Sequence, residues 1–320
     1  NEVYDSFVRS GANLDNISKI KYRKISENLA DLSPKFSNNV LNATNDINNY
    51  FIDRKEDLSG IPDRLVKVAK QRAADNNKPN SWCFSLDTDF FSLMKFCEDG
   101  KIRKDIMYKN QSKCNGGKHD NTFILQEISS LRHKRANLLG YDSHADYVLD
   151  RRMAKSKKTV YSFINELIEP SYQASIREMG EVSDFATKTD NVDKLESYDV
   201  MYYGEKFKQY KYNFNDEVLR PYFKSENVIN GAFEVANRLY GLKFKILNEI
   251  QVWHPDVKVY KVDDENDEYV GLLYQDIHPR KNKRGGAWMN QLKSQGTSDG
   301  KIQEPHVTFN CNLTRATKDK

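Results

Sequence analysis

VWHPDVKVYKVDDENDEYVGLLYQDIHPRKNKRGGAWM, residues 252–289, interrupts a chain that otherwise reads as helix after helix. Val257 and Val259 alternate with polar residues, Val262 adds an apolar stem, and a polar run at 263–268 separates them from a second β-rich run at 269–277. That spacing predicts a β-hairpin. A lone hairpin is marginal in water, so this one is expected to join a small sheet or to lie on helices. Gly285-Gly286 then breaks the pattern. Glycines there allow a second backbone to approach closely, as a peptide does when it lies along a sheet edge, or they form a simple turn; the residues leave both open.

Downstream, Val307, Phe309, Cys311 and Leu313 alternate with Thr308, Asn310 and Asn312. This pattern predicts a half-buried strand that joins the hairpin, with the first set facing inward. Upstream, Ile25, Leu29, Leu32, Phe36, Val40, Ala43 and Ile47 fall three and four apart, the spacing of a long amphipathic helix over residues 17–50. Pro34 lies inside it and is expected to kink it, or to restart it with Ser33 as N-cap. Further helices are expected at 122–139, ended by Gly140; next, capped by Asp142 or Ser143; from Ser156 through Val160, Phe163, Ile164 and Leu167; and at 227–239, ended by Gly241. WCFSL at 82–86 reads as a short strand. The polar linker at 191–195 divides the chain into a helical lobe, 1–190, and a lobe carrying the hairpin and sheet, 191–320.

Composition narrows the class. Charged residues reach 30%, which alone would suggest disorder, but 18 Tyr and 16 Phe are what a packed core requires. The net charge of +4 comes from 50 basic and 46 acidic residues, well mixed, so no nucleic-acid partner is expected. No apolar run approaches the ~20 residues of a membrane helix, so no membrane partner is expected either. Cys83, Cys97, Cys114 and Cys311 show no C-x-x-C and no framework spacing, which favours free thiols over disulfides. The chain starts at Asn1 and ends in RATKDK without a closing element, the reading expected of a piece of a longer protein.

Several chemistries fail on spacing. None of the six histidines is followed by Glu, so a helical His-Glu-x-x-His zinc site is absent, and a site scattered over His254, His278 and His306 is disfavoured because two of them precede proline. KCNGGKHDN at 113–121 lacks P-loop spacing, and there is no G-x-S-x-G elbow. The acidic pairs Asp263-Asp264 and Asp267-Glu268 lie in the hairpin tip, where solvated charge is the ordinary explanation.

Seven segments, in order, carry a family resemblance: YDSFVRSGANL at 4–14, RANLLGYDSHADYVLDRRMAKS at 135–156, YYGEKFKQYKY at 202–212, DEVLRPYF at 216–223, GAFEVANRLYGLKF at 231–244, VWHPDVKVYKV at 252–262 and HPRKNKRGGAWM at 278–289. Together they resemble the M3 family of zinc oligopeptidases and, within it, the peptidyl-dipeptidase Dcp type. Pro34 and Gly204 are small departures. The resemblance implies a mainly α, multi-helical, zincin-like architecture with one small β-sheet, and 191–320 would be a partial catalytic lobe without the zinc-binding helix.

It also implies an activity. In the whole enzyme, zinc held by two His and a Glu activates water, and a Glu acts as general base on a peptide bond. The zinc motif would fall beyond Lys320, so no catalytic residue, no metal ligand and no bound zinc are expected in this chain, which by itself would be inactive. The substrate would be a short peptide, from which Dcp-type members release C-terminal dipeptides. Gly285, Gly286 and Ala287 are expected to offer backbone groups to it, with His278 and Trp288 nearby. The partner would be the missing C-terminal catalytic portion, and a lobe without it is expected to expose an apolar face. The resemblance suggests a cytoplasmic location and leaves a periplasmic or envelope-associated one open. The alternative from another class is a zinc-free helical peptide-binding protein.

Overall fold

A computed structural model describes residues 2–281 and 283–313. Helices dominate: α1 (Glu2–Arg9), α2 (Asn16–Ile47), α3 (Asp63–Asp75), α4 (Phe90–Phe96), α5 (Gly100–Gln111), α6 (Thr122–Leu138), α7 (His144–Leu149), α8 (Lys157–Asp190), α9 (Val200–Tyr212) and α10 (Ser225–Tyr240). The strands are β1 (Tyr50–Ile52), β2 (Trp82–Phe84), β3 (Lys243–Leu247), β4 (Lys258–Asp263), β5 (Tyr269–Asp276), β6 (Trp288–Lys293), β7 (Gly296–Ser298), β8 (Lys301–Gln303) and β9 (His306–Asn310). The fold is mainly α with small sheets. Among the described residues no helix is long and apolar enough to cross a membrane.

The chain forms two compact units and passes between them more than once: Asn1–Ile61, Phe84–Leu86 and Ser92–Phe207 make the first, and Pro62–Cys83, Asp87–Phe91 and Lys208–Lys320 the second. In the first unit α2 packs on α6 because Leu29, Ile128 and Leu131 share one apolar core with Ile25, Leu32, Phe36 and Ile124. Burial of each large side chain contributes about 1.5–3 kcal/mol. α2 runs unbroken through Pro34. Its N-cap is Asp15, whose carboxylate accepts from the Ile17 and Ser18 amides at 2.9 and 3.0 Å, and Ser33 is not a cap: its hydroxyl donates to the Leu29 carbonyl at 2.8 Å inside the helix. Packing along both sides of the proline offsets the hydrogen bond that it cannot donate.

α8 starts at the predicted cap, Ser156, and continues through Pro170 to Asn191 in the left-handed conformation. Its C-terminal end is buried: Ala186 packs with Tyr202 and Tyr203 of α9. Its first half is not. Phe163, Ile164, Leu167, Ile168, Tyr172 and Ile176 are all exposed. The helical periodicity was legible here, and an exposed apolar face was expected, whereas its place on the first half of α8 was not.

In the second unit five strands form a sheet in the order β3-β4-β5-β9-β6. The predicted hairpin is β4-β5, antiparallel with Val259 opposite Tyr274 and a bulge at Val262/Asp263. β9 joins it, parallel to β5 and antiparallel to β6. Phe233 of α10 stacks on Phe244 with centroids 4.2 Å apart and meets Tyr260 edge-on. Val257, Val259 and Tyr274 form a core with Ile250, Val252 and Leu272. β9 reverses the expected faces: Thr308 and Asn310 are buried and Phe309 is 44% exposed. The cause is hydrogen bonding. Thr308 donates to the Asn290 carbonyl at 3.3 Å, and Asn310 donates to the Thr308 hydroxyl at 2.8 Å and the Trp288 carbonyl at 3.4 Å, so the polar face is satisfied against β6.

Candidate functional site

Two features of the second unit meet at residues 276–293. β6 lies at the end of the strand order, paired with β9 along one edge and with no strand on the other among the described residues. The segment that feeds it, 277–287, leaves the end of β5 and contains the glycine pair. An edge strand presents unpaired amides and carbonyls, a template for an added chain.

The two glycines serve different ends. At Gly285 a Cβ would lie 2.9 Å from the Asp87 carboxylate, so the side-chain-free backbone lets that carboxylate come close. Gly286 has φ +92°, a conformation that disfavours other residues, and a Cβ there would meet nothing within 4 Å. Gly285, Gly286 and Ala287 are exposed and consecutive. Asn312 steadies them from the β9 side: its amide donates to the carbonyls of Arg284 at 3.0 Å and Gly286 at 2.7 Å. Trp288 opens β6 opposite Asn310 and is half-buried. His278 lies on the other limb of the loop, where its Nδ1–H donates to the Leu313 carbonyl at 3.1 Å. The chain thus presents 285–288 as one surface and holds His278 against Leu313.

Beneath this loop is a charge cluster that the sequence reading did not single out. Asp276, at the end of β5, is 1% exposed. Arg280 binds it with two hydrogen bonds of 2.7 Å, Lys283 reaches Oδ1 at 2.9 Å, and the Trp253 indole donates to Oδ2 at 3.0 Å. Burial pushes the Asp276 carboxyl up, but the hydrogen bonds from Arg280, Lys283 and Trp253 outweigh it and hold the group well below the usual carboxylate range. Trp253 also stacks on Tyr274 with centroids 5.5 Å apart, which ties this cluster to the apolar core. The available signal was a lone Asp ending an apolar strand, followed within eight residues by Arg280, Lys283 and Arg284.

The histidines do not converge. His254 Nδ1 accepts from the Asp256 amide at 3.2 Å, and His306 lies beside the Tyr274 ring. Among the described residues no three His, Cys, Asp or Glu side chains gather into a group that could hold a metal, so these residues do not fit a zinc ion. Cys83 and Cys97 are buried thiols outside any disulfide, and burial pushes Cys97 up to about 11, which makes it a poor nucleophile.

Peptidase family M3 matches residues 93–320, the larger part of the chain and the whole of the edge-strand region.

The chain belongs to peptidase family M3.

Relatives extend the match to the N-terminal helices. Over 98% of its length the chain is 34% identical to oligopeptidase A of Escherichia coli, covering 47% of that protein. It is 30% identical over 99% of its length to saccharolysin of Saccharomyces cerevisiae, covering 46%, and 26% identical over 98% to the dipeptidyl carboxypeptidase of Escherichia coli, again covering 46%. This M3 chain therefore spans about half the length of the curated relatives that it matches.

Proposed function

We propose that this M3 chain is the peptide-holding part of a zinc metallopeptidase that hydrolyses short peptides. A substrate would add as a strand along the free edge of β6, with the backbone of Gly285, Gly286 and Ala287 at one end of the strand and Trp288 beside it. The single observation that carries this reading is an edge strand with no further strand beside it among the described residues, next to an exposed glycine pair, one glycine of which has empty space over its Cα. Main-chain hydrogen bonding along such an edge binds peptides with little regard to sequence, as a general peptidase requires. In this reading zinc and the general base belong to a portion outside these 320 residues, 1–190 is the helical lobe and 191–320 part of the catalytic lobe. The exposed apolar face of α8 supports placing that further portion against it.

The cleavage mode is a finer question. The higher identity to oligopeptidase A favours cleavage within an oligopeptide; release of C-terminal dipeptides is the second reading, supported by the dipeptidyl carboxypeptidase match along the same length. Both are tested by incubating the complete gene product with an N-acetylated octapeptide, with and without a chelator, and weighing the products. Chelator-sensitive cleavage supports the peptidase; a ladder shortened two residues at a time supports dipeptide release. Peptide binding without cleavage, unaffected by added zinc, would replace both with the zinc-free peptide-binding protein.

A further inference from the structure

We propose that Lys283 is the positioning residue for the peptide-binding backbone, its buried ammonium clamping the 276–287 loop so that Gly285, Gly286 and Ala287 stand ready beside the β6 edge. The proposal rests on the substrate reading above and deepens it. Only 2% of the Lys283 side chain is exposed. An ammonium has three hydrogens to donate, and four oxygens surround this one: Asp276 Oδ1 at 2.9 Å and the carbonyls of Asp276, His278 and Cys311 at 2.8, 2.9 and 2.5 Å. Those oxygens belong to two separate stretches of chain, the end of β5 running into the loop at 276–278 and the exit of β9 at Cys311. One side chain therefore closes the loop on itself two residues before Gly285.

A merely structural ion pair would be satisfied by the carboxylate alone. Here three of the four acceptors are main-chain carbonyls, which fix the path of the backbone, and Asn312 holds the carbonyls of Arg284 and Gly286 from the other side. Loss of the Lys283 charge removes a donor from three carbonyls, of which that of Asp276 still accepts from the Cys311 amide at 3.0 Å. If Lys283 loses its charge, Asp276 keeps both hydrogen bonds from Arg280 and the one from Trp253, so no orphaned carboxylate is left in the core.

The test is Lys283→Met in the complete gene product, with Lys283→Gln, which can still donate to carbonyls, as the variant that carries the test should Met fail to fold. Two quantities are measured. Trypsin cleavage after Arg284 under native conditions reports opening of the loop. Affinity for an N-acetylated Ala/Gly-rich octapeptide is measured with chelator present, so that binding is read without turnover, and KM and kcat are measured with metal. Lys283→Met is expected to speed cleavage after Arg284 roughly tenfold, to weaken peptide affinity and raise KM roughly tenfold, and to leave kcat within about twofold. Lys283→Gln should fall between it and the parent.

Cleavage after Arg284 at the parent rate would overturn the clamp. Faster cleavage with unchanged peptide affinity would overturn the positioning role, and Gly286→Val then separates the two ideas: if it weakens peptide binding, the substrate reading stands without Lys283; if it does not, the substrate reading falls as well.

Discussion

The β4-β5 hairpin carries a buried aspartate near each end, and the two are held in opposite ways. Asp263, where β4 meets the hairpin tip, is fully buried, but its partners are Lys261 and Lys245, whose side chains are 38% and 59% exposed and whose ammonium groups lie 2.7 and 3.5 Å away. Neither Asp263 oxygen has a partner in good hydrogen-bond geometry. Asp276, where β5 ends, is gripped by Lys283 and Arg280, with 2% and 22% of their side chains exposed, and by Trp253. Both carboxyls are held below the usual range, Asp263 chiefly by Lys261 and Asp276 by hydrogen bonds that overcome its burial. The lesson is that the same residue type at two ends of one hairpin can be a solvent-screened staple or the keystone of a loop. The difference lies in whether its partners are buried and whether they also bind main chain.

Four substitutions sharpen or break that contrast. Asp276→Asn removes the charge shared by the buried Lys283 and the partly buried Arg280 and should cost about 3–5 kcal/mol in urea unfolding. It should also flatten the acid limb of the stability profile. Because the folded-state pKa of Asp276 is depressed, its contribution is complete above the ordinary carboxylate pKa of about 3.9 and is lost as pH falls through the folded value. An unchanged acid limb would place the acid sensitivity elsewhere.

The glycines give the next two tests. Gly271→Ala, near the Asp263 end, sets a Cβ 2.5 Å from the Pro305 carbonyl, which also accepts from the Leu272 amide at 3.0 Å, so backbone must shift. The expected loss is about 1–3 kcal/mol in the same unfolding experiment. Gly286→Ala meets no atom, and its cost is conformational, about 1–2 kcal/mol. Larger than that, it would mean that the open space over Gly286 is not open. The smallest effect is expected for Asp263→Asn, and its mark is ionic strength. Exposed lysines are screened by salt, so the difference between Asn and Asp should shrink between about 50 mM and about 1 M NaCl, while the Asp276→Asn difference persists. Equal salt sensitivity of the two would erase the distinction.

Much of this was legible beforehand. Alternation at Val257 and Val259 and the β-rich run at 269–277 predict β4 and β5, and Ser156 caps α8 as expected; of the two caps offered for α7, Asp142 and Ser143, the structure uses Ser143, while α2 neither kinks nor restarts at Ser33 and is capped by Asp15. The glycine pair was legible as a place where backbone is laid bare. The charge cluster was not: Asp276 closes a β-rich run and Arg280 and Lys283 follow it with no spacing that joins the three, since only burial turns them into a clamp. β9 was misread for a related reason. Hydrophobicity ranks Phe309 above Thr308 and Asn310, yet hydrogen-bond partners on β6 let the polar residues take the inside.

By itself, then, the sequence determined the mainly α class, the hairpin and the M3 motifs, because local propensity, spacing and the order of motif segments are properties of neighbours along the chain. Tertiary structure alone decided that β6 is an edge among the described residues, which face of β9 is buried, and that Lys283 ties the start of the 276–287 loop to the exit of β9. Each of those depends on groups far apart in sequence meeting where water is excluded, and there an unpaired charge or carbonyl costs enough to dictate its partner.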